Sequence, residues 1–129
     1  MKSTSTLAPP DQFRPRTATP LDSITTGDHN VGLGVDSLTA VTSGGHNVGV
    51  GRNTLKATTT ATYNTAVGDA ALDVNTTGSD NVGVGADALG QNTTGIQNVS
   101  VGAYALDANT TGSYNTAVGK SVLSANTTG

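Results

Sequence analysis

A chain of 129 residues with only 34% hydrophobic and 3% aromatic side chains falls short of the apolar share that one large globular core draws on. Its net charge of -3 provides no basic footprint, which excludes a nucleic-acid partner, and without Cys there is neither a disulfide framework nor a thiolate metal site. No run of apolar residues is long enough to span a bilayer and no secretory leader is recognisable, so no membrane insertion is expected.

In chain order, the first element is a segment unlike the rest. Residues 1–24, MKSTSTLAPPDQFRPRTATPLDSI, hold all four prolines (Pro9, Pro10, Pro15 and Pro20) and three basic residues, Lys2, Arg14 and Arg16. Proline fixes φ and removes a backbone donor, so this segment is expected as an extended arm rather than a helix. Its last four residues, Leu21 to Ile24, fall in register with the end of the unit that follows.

From Thr25 the chain becomes periodic. Six units of 17 residues run without insertion, from TTGDHNVGLGVDSLTAV to TTGSYNTAVGKSVLSAN, and a seventh begins with TTG. Three positions are the same in every unit: Asn30, Asn47, Asn64, Asn81, Asn98 and Asn115; Gly34, Gly51, Gly68, Gly85, Gly102 and Gly119; Leu38, Leu55, Leu72, Leu89, Leu106 and Leu123. Sparse charge and strictly scheduled Val and Leu argue against a disordered low-complexity segment.

Within each unit the stretch N-[VT]-[GAS]-[VL]-G alternates an aliphatic or β-branched residue with a small one, the period-2 mark of a short strand. The later pair ending in the fixed Leu is expected as a second, shorter strand, with Gly and the NTTG clusters turning the chain between them. A unit this short, without a 3.6-residue apolar period, predicts an all-β solenoid or β-roll, fibrous in form. Equivalent residues would then stack at about 4.8 Å per turn, giving a rod of about 29 Å over six turns. Asn above Asn predicts a hydrogen-bonded ladder, and Leu above Leu an apolar seam.

Each turn has few large aliphatics, for example Val82, Val84 and Leu89. Burying each stabilises by about 1.5 to 3 kcal/mol, whereas ordering each residue of the turn costs about 1 to 2 kcal/mol. The imbalance predicts association between copies in which the small residues Gly83, Ala66, Ser100 and their equivalents pack against neighbouring chains; the threefold number, a homotrimer, comes partly from the resemblance given below.

Sharper chemistry finds little support in the residues. Gly83-Val84-Gly85 lacks the third Gly of a dinucleotide loop, so no cofactor is expected. His29 and His46 share a slot in successive units beside Asp28 and read as a surface ladder with too few ligands for a metal. Asp22, Ser23 and His29 have no nucleophile elbow around them, and Asp69 and Asp73 read as solubilising charges rather than a glycosidase pair; no enzyme is expected. The paired Thr residues (Thr76-Thr77 and its copies) read as turn formers rather than an ice-binding array, because neighbouring strand residues face opposite ways. Asn75-Thr76-Thr77 matches the N-glycosylation pattern as a by-product of the repeat, and Tyr63, Tyr104 and Tyr114 read as ordinary surface residues.

The unit TTGSYNTAVGKSVLSAN resembles the N-T-A-[VI]-G-x-x-A-L-x-x-N-T-T-G repeats of tail-fibre proteins of tailed bacteriophages. The shorter N-[TV]-[AG]-V-G is similar to the N-S-V-A-I-G repeat in the head domains of trimeric autotransporter adhesins, which are trimeric β-rolls. The resemblance covers residues 25–129. It implies a virion tail location, a homotrimer, and an arm over residues 1–24 whose Phe13, Arg14, Pro15 and Arg16 attach to a tail or baseplate protein. It also implies a distal host-receptor-binding tip beyond this sequence, since the chain stops three residues into a unit. The adhesin head is the alternative; those proteins begin with an extended signal peptide, unlike the Met1-Lys2-Ser3-Thr4 start here.

Overall fold

The computed structural model describes residues 20–129, so the proposed attachment residues Phe13, Arg14, Pro15 and Arg16 lie outside the described residues. The chain is an all-β solenoid with one strand per 17-residue unit. Six short strands, β1 (Val31–Leu33), β2 (Val48–Val50), β3 (Thr65–Val67), β4 (Val82–Val84), β5 (Val99–Val101) and β6 (Thr116–Val118), form one parallel sheet in sequence order. The register never slips: Val31 pairs with Val48, Val48 with Thr65, and so on to Val99 with Thr116. The stacking extends back to Leu21, whose backbone N–H donates to the Ser37 carbonyl as that of Leu38 donates to Thr54.

The second strand expected at the fixed Leu is absent from the described residues. Every Leu in this column adopts a left-handed backbone, with φ between 49° and 64°, and sits in a turn. That conformation costs about 1 to 2 kcal/mol for a residue with a side chain, and fully burying a Leu stabilises by about 1.5 to 3 kcal/mol. Burial prevails, because this backbone swings Leu38, Leu55, Leu72, Leu89 and Leu106 into the interior, where each is fully buried. Leu123, with no turn above it, is 47% exposed.

The strand side chains face opposite to the expectation. The small residue at the centre of each strand, such as Ala66, Ser100 and Ala117, points into the chain's own interior and is buried there. The residues on either side, Val82 and Val84 among them, point outward and are only partly covered. Geometry gives the reason. A Cβ added to Gly83 would lie 3.4 Å from Leu72 Cγ and 3.0 Å from the Ala88 carbonyl, and one at Gly49 would lie 2.6 Å from Ser37 Oγ. One 17-residue turn encloses too narrow a section for Val to enter opposite Leu, so only a small residue fits inside.

Candidate functional site

The fixed Asn residues Asn30, Asn47, Asn64, Asn81, Asn98 and Asn115 stand in one internal column. The Asn47 carboxamide oxygen accepts from the Asn64 backbone N–H (3.0 Å) and from Asn64 Nδ2 (3.1 Å), and the pattern repeats at every step up to Asn115. From Asn30 to Asn98 each Nδ2 also donates to a carbonyl in the following turn, as Asn64 does to Gly78 at 2.9 Å, whereas Asn115 Nδ2 donates to the Ser113 carbonyl in its own turn. Asn115, in the last turn, is only part-buried.

A second Asn ladder runs beside the first, at a position that is not the same in every unit. Asn92 Nδ2 donates to Asn75 Oδ1 at 2.8 Å and Asn109 Nδ2 to Asn92 Oδ1 at 3.0 Å, and Asn126 continues the column. Both ladders converge on the same acceptors: the Gly78 carbonyl receives Asn64 and Asn75, the Gly95 carbonyl Asn81 and Asn92. The sequence masks this column, because its first two members are Val41 and Thr58 and the NTTG cluster reads as a turn. Asn75, Asn92 and Asn109 are fully buried with their amides engaged, so the folded chain offers no acceptor nitrogen for glycosylation there. Among the described residues no buried side-chain nitrogen or oxygen lacks a partner, as an interior this polar requires.

Outside, the sheet carries two parallel rows. One is Val31, Val48, Thr65, Val82, Val99 and Thr116; the other, Leu33, Val50, Val67, Val84, Val101 and Val118, is aliphatic throughout. Neither row contains a charge. Leu33 and Val118 are each 66% exposed, and the middle members are partly covered by one another. The second row makes a continuous aliphatic strip along the outer face of the sheet.

A third column lies just before the ladder Asn: His29, His46, Tyr63, Asp80, Gln97 and Tyr114. The imidazoles of His29 and His46 stack with centroids 4.6 Å apart and planes within 2°, and His46 stacks on Tyr63 at 4.7 Å. Both faces of the His46 ring are thus covered by its neighbours, while Tyr63 remains exposed. Asp28 Oδ2 lies 3.3 Å from His29 Nδ1, and this hydrogen bond holds the Asp28 carboxyl below its ordinary range.

No family model, curated protein or solved structure matches the chain.

The remaining surface groups are accounted for by stacking. The hydroxyls of Thr42, Thr59, Thr76 and Thr93 donate to the carbonyl of the Thr one turn on. Asp69 Oδ2 accepts from Arg52 Nη2 at 2.7 Å, and Lys56 pairs with Asp36 at 3.4 Å; exposed pairs of this kind contribute little. Partial burial pushes the Asp73 carboxyl up, opposed by Lys56 and reinforced by the charges of Asp87 and Asp69. Tyr104 is exposed in a different column from Tyr63 and Tyr114.

Proposed function

We propose that this chain is the shaft of a homotrimeric tail fibre of a tailed phage, a structural rather than catalytic protein. In this reading residues 1–24 attach to the tail or baseplate, and the rod projects a distal receptor-binding tip. The observation that carries it is the charge-free aliphatic strip along the outer face of the sheet. Its side chains recur at the spacing of the turns, so the surface that matches it best along its whole length is the same strip on another copy in the same register. Three copies facing one axis would cover the strip and leave the charged and Thr columns outside, as a fibre shaft in solution requires.

Two experiments test this reading. The double substitution Val67→Lys and Val101→Lys places charges on the outward strip without touching the interior. Sedimentation of the variant should give the mass of one chain, with the far-ultraviolet circular dichroism of the solenoid retained, while the unaltered protein sediments as three. A variant that still sediments as a trimer would remove the strip from the interface.

For the arm, deletion of residues 1–20 is expected to leave a folded rod that no longer joins tails when added to fibreless particles. Gold-labelled antibody against the repeats should decorate a thin fibre on the phage tail. Label confined to the bacterial surface would instead favour the adhesin head.

A further inference from the structure

The geometry points to a divalent transition-metal site at the first two turns, formed by His29, His46 and Asp28, separate from the assembly strip and independent of the fibre reading. The sequence places the two His residues a unit apart; the fold brings them side by side. One ligand atom from each of the three residues lies within 4.8 Å of the other two. Two imidazoles with one carboxylate are a donor set for Zn²⁺, Cu²⁺ or Ni²⁺ rather than for Ca²⁺ or Mg²⁺, which take oxygen ligands.

Three features favour the site. The His29 and Asp28 side chains are 57% and 45% exposed and His46 is exposed as well, so an ion reaches them from solvent. Asp28 and His29 are already together, with Asp28 Oδ2 3.3 Å from His29 Nδ1. In the next turn the position equivalent to Asp28 is Gly45, where an added Cβ would stand 2.9 Å from Asp28 Oδ1. The missing side chain there leaves the carboxylate room beside the two rings.

The rings lie parallel, and a metal binds in the plane of an imidazole, so one ring must turn for both nitrogens to bind the same ion. Exposed side chains turn freely, and the turn breaks the stack of His46 on Tyr63. The column itself tolerates change, since Gln97 and Asp80 occupy the same slot and Gln is therefore a neutral substitute at either His.

The test is calorimetric titration of the full chain, free of any polyhistidine tag, with ZnCl₂, NiCl₂ or CuSO₄ in a non-coordinating buffer. One equivalent of metal per chain is expected, with no competition from excess CaCl₂. His29→Gln and His46→Gln should each weaken binding by at least about tenfold, and Asp28→Asn by a smaller factor, with circular dichroism unchanged in all three. Tyr63 fluorescence should respond to Zn²⁺ in the unaltered chain and not in His46→Gln. No saturable binding, or binding that survives both Gln substitutions because the metal sits on the Asp69, Asp73 and Asp87 carboxylates, would overturn the site.

Discussion

Gly85→Ala is expected to destabilise the rod by about 4 kcal/mol, more than its single added methyl would cost on any exposed surface. Gly85 has φ +128°, and a Cβ there would lie 2.7 Å from the Gly102 carbonyl carbon and 2.9 Å from the Ala103 nitrogen. These are backbone atoms of the next turn and cannot move aside, because Gly102 N–H is bound to the Val84 carbonyl at 2.7 Å and Gly85 N–H to that of Val67 at 2.7 Å. Gly119 supplies the control. It has nearly the same backbone, φ +126°, but a Cβ there would meet only Cγ2 of the partly exposed Val122 side chain rather than stacked backbone. Gly119→Ala should therefore cost only the backbone strain, about 1 to 3 kcal/mol, and fray only the last turn. Thermal unfolding of both variants by circular dichroism checks the difference; equal losses would mean that the stacked backbone gives way to a methyl.

The period of the repeat made the solenoid, the Asn column and the Leu column legible before any coordinates, because a fixed spacing forces equivalent residues above one another. Which way the strand side chains face was not legible. Alternation fixes that Gly83 and Val84 lie on opposite sides but not which side is inside, and the usual preference for burying the larger residue pointed the wrong way. The deciding fact is the width of the interior: Leu72 already fills it, so Val is excluded. The Leu backbone was hidden for a related reason, since a left-handed Leu is unfavourable locally and is sustained only by the burial it gains. The second Asn ladder was obscured by Val41 and Thr58 in its column.

These corrections alter the assembly argument more than the fold. With the small residues facing neighbours, a trimer would close on Gly, Ala and Ser. With the Val-rich rows facing out, the same chain presents a charge-free strip to solvent, and among the described residues the interior polar groups are paired within the chain. A single turn is held by polar ladders and one Leu, so a second copy docked on the strip, as proposed, would add the burial that the narrow interior has no room for.

Asn81→Ala should be the most damaging single change among the ladder residues, because it interrupts the column in mid-rod. Asn81 Nδ2 donates to Asn64 Oδ1 (3.2 Å) and to the Gly95 carbonyl (2.9 Å), and its oxygen accepts from Asn98 N–H (3.0 Å) and Asn98 Nδ2 (3.1 Å). Most of these partners keep another bond: Asn64 Oδ1 retains the Asn81 N–H, the Gly95 carbonyl retains Asn92, and Asn98 Nδ2 retains Gly112. The Asn98 backbone N–H loses its acceptor inside the rod, so the loss is about 3 to 5 kcal/mol when the unpaired donor, the weakened bonds and the cavity are combined. Asn81→Asp separates donor from acceptor. It still accepts from Asn98 but sets a carboxylate against the Asn64 oxygen and the Gly95 carbonyl, which raises its folded pKa above the unfolded value of about 3.9. A raised carboxyl contributes its stability below the unfolded pKa and loses it as pH rises through the folded one. The Asp variant should therefore be closest to the unaltered chain near pH 3.5 and fall furthest behind near pH 7.5, whereas the deficit of the Ala variant stays constant. Asp73 and Asp107, both raised by burial, are common to all three chains and cancel in the differences. Melting curves at the two pH values decide the matter, and an Asp variant as stable as the unaltered chain at pH 7.5 would mean that the Asn81 amide donor contributes nothing to the stack.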